Sequence, residues 1–305
     1  MLRTRAAAFA AIAATSLALS ACGSSSLGTG SGTTSSSSTP SSSGTVAADP
    51  SLVAKLPASL KSKGTITIGV DATYAPNEFI GTDGKTVEGM DVDLFNAVAA
   101  KFGLKTDWQP ASFDSIILGV TSGKYDVGVS SFTINADREK QVNMVSYFNA
   151  GTQWVAQAGN PKNVDPNNAC GLKVGVQKGT VQIDDLTAKS KACVSAGKKP
   201  ITMIIDADQS KVTADVVSGK ADAMLADSPV GLYAVKQTGG QLAAVGDIYD
   251  AAPYGFVVPK DQSDFAQAIA DALSQLASDG TYKSVLDTWG NASGAITSFA
   301  VNPTP

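Results

Sequence analysis

The segment from Gly123 to Arg138, GKYDVGVSSFTINADR, sets a strand-like run, small hydroxyl residues and a single arginine in succession. Arginine carries a planar fork that donates two parallel hydrogen bonds to a carboxylate and stays charged at any working pH. The order therefore suits capture of a small carboxylate. Taken alone, Arg138 reads better as a surface arginine within the charged run Asp137–Lys140, and the serines fit plain turn chemistry. The front half of the segment recurs about a hundred residues later. VTSGKYDVGVSSF over 120–132 aligns without gaps with VVSGKADAMLADS over 216–228, which sets Ser131 opposite Asp227. By its position alone, Asp227 can cap a helix beginning at Pro229. Gly179 and Thr180 follow a strand-like run and open a helical one, so their amides can meet an anion with the helix dipole behind them. Thr180 also reads as an ordinary N-cap.

Some chemistry is excluded at once. The chain has no histidine, and its cysteines form no CxxC pair. Histidine-based triads and zinc, copper or haem sites are not expected, nor is any metal or cofactor. A net charge of −4 argues against nucleic acid or an anionic surface as partner.

Positioning these residues requires alternating strands and helices. Thr65–Val70 alternates as a strand, and Asp91–Phe102 follows with Leu94, Phe95, Val98 and Phe102 on one helical face. Lys105–Gln109 predicts a second strand, Phe113–Thr121 a helix, and Tyr125–Val129 a third strand that leaves Ser130–Thr133 as a loop. Gly123 with Lys124, and Gly219 with Lys220, sit where a helix C′ glycine belongs. The second unit predicts strands near Lys173–Val176, Ile201–Ile205 and Ala221–Leu225, and helices near Val181–Lys191 and Gln209–Val217. Gly255–Val258 predicts a strand returning to the first unit, followed by helices over Asp264–Ser278 and Thr281–Trp289. This alternation predicts an α/β fold with parallel-rich sheets, whose ligands collect beyond the carboxyl ends of strands.

The first fifty residues have a different character. MLRTR and an apolar run over Ala6–Leu19 read as a secretory leader, too short for a permanent membrane span. The run ends in LSAC, and the chain from Gly23 to about Ala48 is almost wholly Ser, Thr and Gly, predicting a flexible linker. LSAC resembles a lipobox, which implies cleavage after residue 21 and lipidation of Cys22; an ordinary cleavage site is the alternative. In an exported chain the remaining pair, Cys170 and Cys193, suggests a disulfide, with two buried thiols as the other reading.

Several ordered blocks resemble one family, the extracytoplasmic solute-binding proteins of polar amino acid ABC transporters. GMDVDLFNAVA over 89–99 is close to the family signature, with Met90 where other apolar residues are preferred. DATYAPNEF, SGKYDVGVSSFTINADREKQV and DGTYKSVLDTWG fit its other blocks, and the resemblance covers about 64–290. It implies a two-lobed periplasmic-binding-protein type II fold with a ligand cleft between lobes. Lobe 1 is expected over 51–150 and 254–305, lobe 2 over 151–253, and 22–50 as the tether. It gives Arg138 the ligand carboxylate, Asp227 the ligand ammonium, and supporting contacts to Ser131, Thr133 and Thr180. Asp71, Tyr74 and Phe113 match positions that contact the ligand in relatives. Asn77 stands where many relatives carry an aromatic residue, and Glu78 is left as a partner for a basic side chain or a solvated loop acid.

The function implied is an amino acid receptor on the outer face of the cell membrane, monomeric and lipid-anchored, that closes on its ligand and docks on a permease without catalysing a reaction. Two alternatives stand beside it. One is an enzyme on the same scaffold, of the cyclohexadienyl or arogenate dehydratase kind, using Glu78, Asp71 or Asp227 as acid or base. The other is a sensor module without a transport partner.

Overall fold

Two long strands, Val142–Gln157 and Leu242–Pro259, run through the middle of the molecule and organise everything else. The structure is a computed structural model that describes residues Val46–Pro303. The leader, Cys22 and the Ser/Thr/Gly run lie outside the described residues. In chain order the strands are β1 Thr65–Val70, β2 Thr73–Tyr74, β3 Glu78–Ile80, β4 Val87–Glu88, β5 Lys105–Pro110, β6 Val127–Thr133, β7 Val142–Gln157, β8 Lys173–Gln177, β9 Thr202–Asp206, β10 Ala223–Asp227 and β11 Leu242–Pro259. The helices are α1 Pro50–Lys55, α2 Ala58–Lys63, α3 Met90–Lys101, α4 Phe113–Thr121, α5 Ala136–Glu139, α6 Val181–Ser195, α7 Gln209–Val217, α8 Ser228–Gln237, α9 Ser263–Ser278 and α10 Thr281–Thr288.

Eight strands form one sheet in the order β5-β1-β6-β11-β7-β10-β8-β9, and β2, β3 and β4 form a small separate sheet. Parallel pairing holds within β5-β1-β6 and within β10-β8-β9. The two groups are joined by antiparallel ladders through β11 and β7, so the sheet is mixed where a parallel-rich one was expected. Sequence pattern showed only the end of β11 and none of β7. Almost every residue of β7 is buried on both faces, which erases the alternation that would mark a half-exposed strand.

Each group has its own core. Around β1 and β6, helices α3, α9 and α10 bury Leu94, Phe95, Ile269, Leu273, Leu276 and Leu286, with Phe256 stacked on Tyr147 at 4.0 Å between ring centres. Around β8 and β10, Trp154, Val174, Val176, Leu186 and Leu225 form a second core. Each fully buried large aliphatic side chain contributes roughly 1.5–3 kcal/mol relative to exposure. Cys193 belongs to this second core and is bonded to Cys170, with an S–S distance of 2.01 Å. Asp49 accepts from Ser51 N–H at 2.8 Å at the start of α1 and from Gln275 at 2.7 Å.

The sequence repeat is a repeat of structure. Gly123 and Gly219 both adopt φ +77, ending α4 and α7 in the left-handed conformation that favours glycine. Asp126 accepts from the backbone N–H of Thr67 at 2.7 Å, and Asp222 accepts from that of Lys173 at 2.8 Å, tying the start of each repeated strand to its neighbour. Counting back along the ladders, Val127 pairs with Ile68 and Ala223 with Val174, so Asp71 corresponds to Gln177.

Candidate ligand-binding cleft

Asp71, Tyr74, Phe113, Ser131, Thr133, Arg138, Thr180 and Asp227 all line one narrow cleft, together with Ser130, Gln177, Val181 and Gln182. They arrive from strand ends, as parallel pairing dictates. Asp71 follows β1, Ser131 and Thr133 end β6, Gln177 ends β8, Thr180 precedes α6 and Asp227 ends β10.

Arg138 is buried, with 8% of its surface exposed, although its neighbours Asp137 and Lys140 pair with each other on the surface at 2.7 Å. The Asn135 side chain accepts from Arg138 N–H at 2.9 Å and starts the short helix α5, which turns the arginine inward. Its guanidinium lies 5.3 Å from the Phe113 ring centre and 5.5 Å from that of Phe132. It donates to Thr133 O at 2.6 Å and, across the cleft, to Gly179 O at 3.1 Å. Burial lowers its pKa to about 10, leaving it fully charged at neutral pH, with the charge of Asp227 acting in the opposite direction.

Asp227 occupies the N-cap position of α8, but its side chain makes no capping bond. It accepts from Tyr74 OH at 2.9 Å and from Gln182 Nε2 at 2.7 Å, so the carboxylate faces the cleft and not its own helix. Burial pushes its pKa up, partly offset by these hydrogen bonds and by Arg138. Thr180 likewise leaves its N-cap position unfilled; its hydroxyl donates to Gln177 O at 2.8 Å, and the first amides of the 15-residue helix α6 open on the cleft.

Asp71 is 2% exposed and holds four donors. Thr73 N–H and Oγ1 donate to Oδ1 at 3.1 and 2.7 Å, and Phe113 N–H and Gln177 Nε2 donate to Oδ2 at 3.0 and 2.7 Å. Desolvation raises its pKa to about 6 in spite of those bonds. The Gln177 contact joins two residues that correspond to each other in the repeat, as does the neighbouring backbone. Gln209 N–H donates to Thr73 Oγ1 at 3.1 Å, and Gln209 is the counterpart of Phe113.

Sequence reading missed Gln177 and Gln182. Extending the repeat back from α7 and β10 to β8 would have singled out Gln177 as the mate of Asp71; Gln182 carries no comparable signal. The expected hydroxyl loop is the end of β6. Ser131 lines the cleft, but its hydroxyl is engaged behind the wall, accepting from Asn77 Nδ2 at 2.9 Å and lying 3.3 Å from Glu78 Oε2 and 3.2 Å from Asp91 Oδ2. Glu78 is fully buried, neither a solvated loop acid nor a lining residue of the cleft.

Charged groups of opposite sign facing one cleft of an α/β fold suit the holding of a small polar solute. Residues 66–292 match the bacterial extracellular solute-binding proteins, family 3. The chain belongs to that family. It is 35% identical over 257 residues to the arginine-binding protein ArgT of Corynebacterium glutamicum, covering 84% of each chain. It is 28% identical to the L-cystine-binding protein TcyJ of Escherichia coli K12, covering 80% of this chain and 88% of that one. Among solved structures, an ancestral arginine-binding protein bound to arginine superposes with a TM-score of 0.68 at 34% identity, over 74% of this chain and 98% of the other.

Proposed function

We propose that this protein is the extracytoplasmic receptor of an amino acid ABC transporter and that its principal ligand is a basic amino acid, arginine foremost. The observation that carries the reading is the opposition of Arg138 and Asp227 across one cleft, with Asp71 in the same cleft beyond what a zwitterion needs. Arg138, assisted by Thr133, the Ser131 backbone and the amides opening α6, receives the α-carboxylate. Asp227, steadied by Tyr74 and Gln182, receives the α-ammonium. Asp71 then faces the side chain, with the rings of Tyr74 and Phe113 as walls, and Gln177 gives up or shares its bond to Asp71. The arginine-binding relatives support this assignment. An ion contact at about 4 Å in an effective dielectric near 20 is on the order of 4 kcal/mol before desolvation, and contacts drawn from both lobes favour the closed arrangement.

The lobes divide near residues 150 and 254, where β7 and β11 cross from one core to the other. Lipidation at Cys22 would hold the receptor at the membrane beside its permease; among the described residues, no helix is long and apolar enough to cross a bilayer. Of the three acids the dehydratase alternative offers, Asp71 and Asp227 line the cleft and Glu78 does not; the paired sites for a carboxylate and an ammonium favour holding a whole amino acid over turning one over.

A thermal-shift panel of the common amino acids, followed by calorimetry, tests the reading. Arginine at about 100 times its Kd should add roughly 2.7 kcal/mol of stability. Failure of every amino acid to stabilise the protein overturns the function; product formed from a prephenate-like substrate establishes the enzyme instead.

A further inference from the structure

Directly behind Ser131 lies a polar cluster that the binding scheme does not use. Glu78, from β3, and Asp91, from the first turn of α3, are both fully buried. Asp91 Oδ2 accepts from Ser131 N–H at 3.0 Å and from the hydroxyl of Tyr147 on β7. The Ser130 hydroxyl lies 3.2 Å from Glu78 Oε1. Asn77, which donates to Ser131 Oγ, is approached in turn by Asn291 Nδ2 at 3.3 Å, beyond the end of α10. The other ionisable groups facing this cluster are Asp71, after β1, and Tyr74, on β2. Among the described residues, no lysine or arginine makes an ion pair with Glu78 or Asp91.

Two adjoining buried carboxyls without a cation cannot both be ionised, because like charges in a dry environment drive one of them to keep its proton. The hydrogen-bond pattern says which one. Asp91 has a backbone amide and a phenol as donors, the partners of an anion, whereas Glu78 has only serine hydroxyls that can turn either way. Asp91 Oδ1 is buried with no donor of its own. Glu78 and Asp91 both approach the Ser131 hydroxyl, at 3.3 and 3.2 Å, so a proton on Glu78 is placed to supply it. Ser131, the residue they hold in common, has φ +50, a left-handed conformation unfavourable for an L side chain.

We propose that Glu78 is a positioning residue that works as the neutral acid: its proton bridges to Asp91, and the pair holds Ser131 in the left-handed turn that sets the β6 backbone against the ligand carboxylate. The second half of this rests on the cleft being the amino acid site; the first half does not. Burial and the Asp91 charge push the Glu78 pKa well up, in agreement with the geometry.

The chain contains three glutamates, Glu78, Glu88 and Glu139, so a carboxyl-13C-glutamate label gives a spectrum simple enough to assign by E78Q. In ligand-free wild-type protein the Glu78 carbon should remain at the protonated shift at pH 7. A carboxylate shift for Glu78 at pH 7 overturns the proposal whatever the ligand proves to be. The sign for stability follows: the Glu78 contribution is fully present below its unfolded value and is lost as pH rises through its folded value. The melting temperature of E78Q, which keeps a neutral donor, should therefore gain on wild type as pH rises from 5 to 8; a difference flat with pH counts against the neutral acid. In arginine binding, E78Q should stay within about threefold of wild type, and E78A, which leaves Asp91 Oδ1 without a donor, should bind at least about tenfold more weakly. Wild-type affinity in E78A overturns the positioning role even if the spectrum shows the proton.

Discussion

Gly179→Ala tests whether the facing walls of the cleft close on each other in the way described. Gly179 has φ +82, and a Cβ built on it would lie 2.9 Å from Asp114 Cβ and 3.2 Å from Asp114 Cα, across the cleft on α4. Ordinary carbon contacts begin near 3.4 Å, so the walls would have to part by about half an ångström. Two costs separate cleanly. The left-handed backbone disfavours alanine by roughly 1–2 kcal/mol whether the cleft is open or closed. The overlap with Asp114 arises only on closure and, as overpacking by one methyl, costs roughly 1–3 kcal/mol. The second cost alone enters the ligand affinity, raising Kd by between about fivefold and about 150-fold. Parting the walls also stretches the Arg138 bond to Gly179 O and the Lys178–Asp114 pair at 2.9 Å. Gly219→Ala is the control: the same left-handed strain at φ +77, with its nearest neighbour, Gln157 Nε2, at 3.5 Å. Calorimetry with arginine should show weaker binding for Gly179→Ala and unchanged binding for Gly219→Ala, while both melt earlier than wild type. Equal affinities in all three proteins would refute the reasoning.

Arg138→Ala and Asp227→Asn should each weaken amino acid binding at least about tenfold by calorimetry, and Arg138→Lys should not restore it, since a point charge cannot reproduce the fork that spans Thr133 O and Gly179 O. Asp71, raised by burial from 3.8 to about 6, contributes stability that is fully present below 3.8 and is lost as pH rises through about 6. A cationic side chain placed against it reverses that loss, so arginine affinity should improve from pH 5 to 7 with proton release on binding; the trend should vanish in Asp71→Asn and with glutamine as ligand. Reducing the Cys170–Cys193 bond, whose partners are 23 residues apart, should lower unfolding stability by roughly 3 kcal/mol on the chain-entropy model while leaving arginine affinity unchanged. A wild-type melting curve in reductant would contradict this.

The parts of the site legible in the sequence are those fixed by local spacing. Strand ends, helix starts and the repeat place Thr180 and Asp227 at the carboxyl ends of strands without any knowledge of packing, whereas Arg138 is singled out through the family resemblance. What stayed hidden depends on partners far along the chain. Nothing near Arg138 in sequence shows that Phe113 and Phe132 will enclose it, and nothing near Glu78 shows that Asp91, Ser130 and Ser131 will. The end of β6 was expected as a loop because its pairing residues, Tyr254 and Gly255, lie more than a hundred positions later. The capping alternatives for Thr180 and Asp227 were decided only by where their oxygens point.

β7 and β11 have one more consequence. Between Asn149 and Gly151 on one strand, and Asp250 and Pro253 on the other, the ribbon has no third strand beside it among the described residues, and its ladder slips between Tyr249 and Ala252. Asp250 there adopts φ +49. The protein thus carries a flexure: a two-ply spring, thin and irregular at one place, with stiff blocks bolted to either end. Bending at that place would change the angle between the two blocks with neither core repacked.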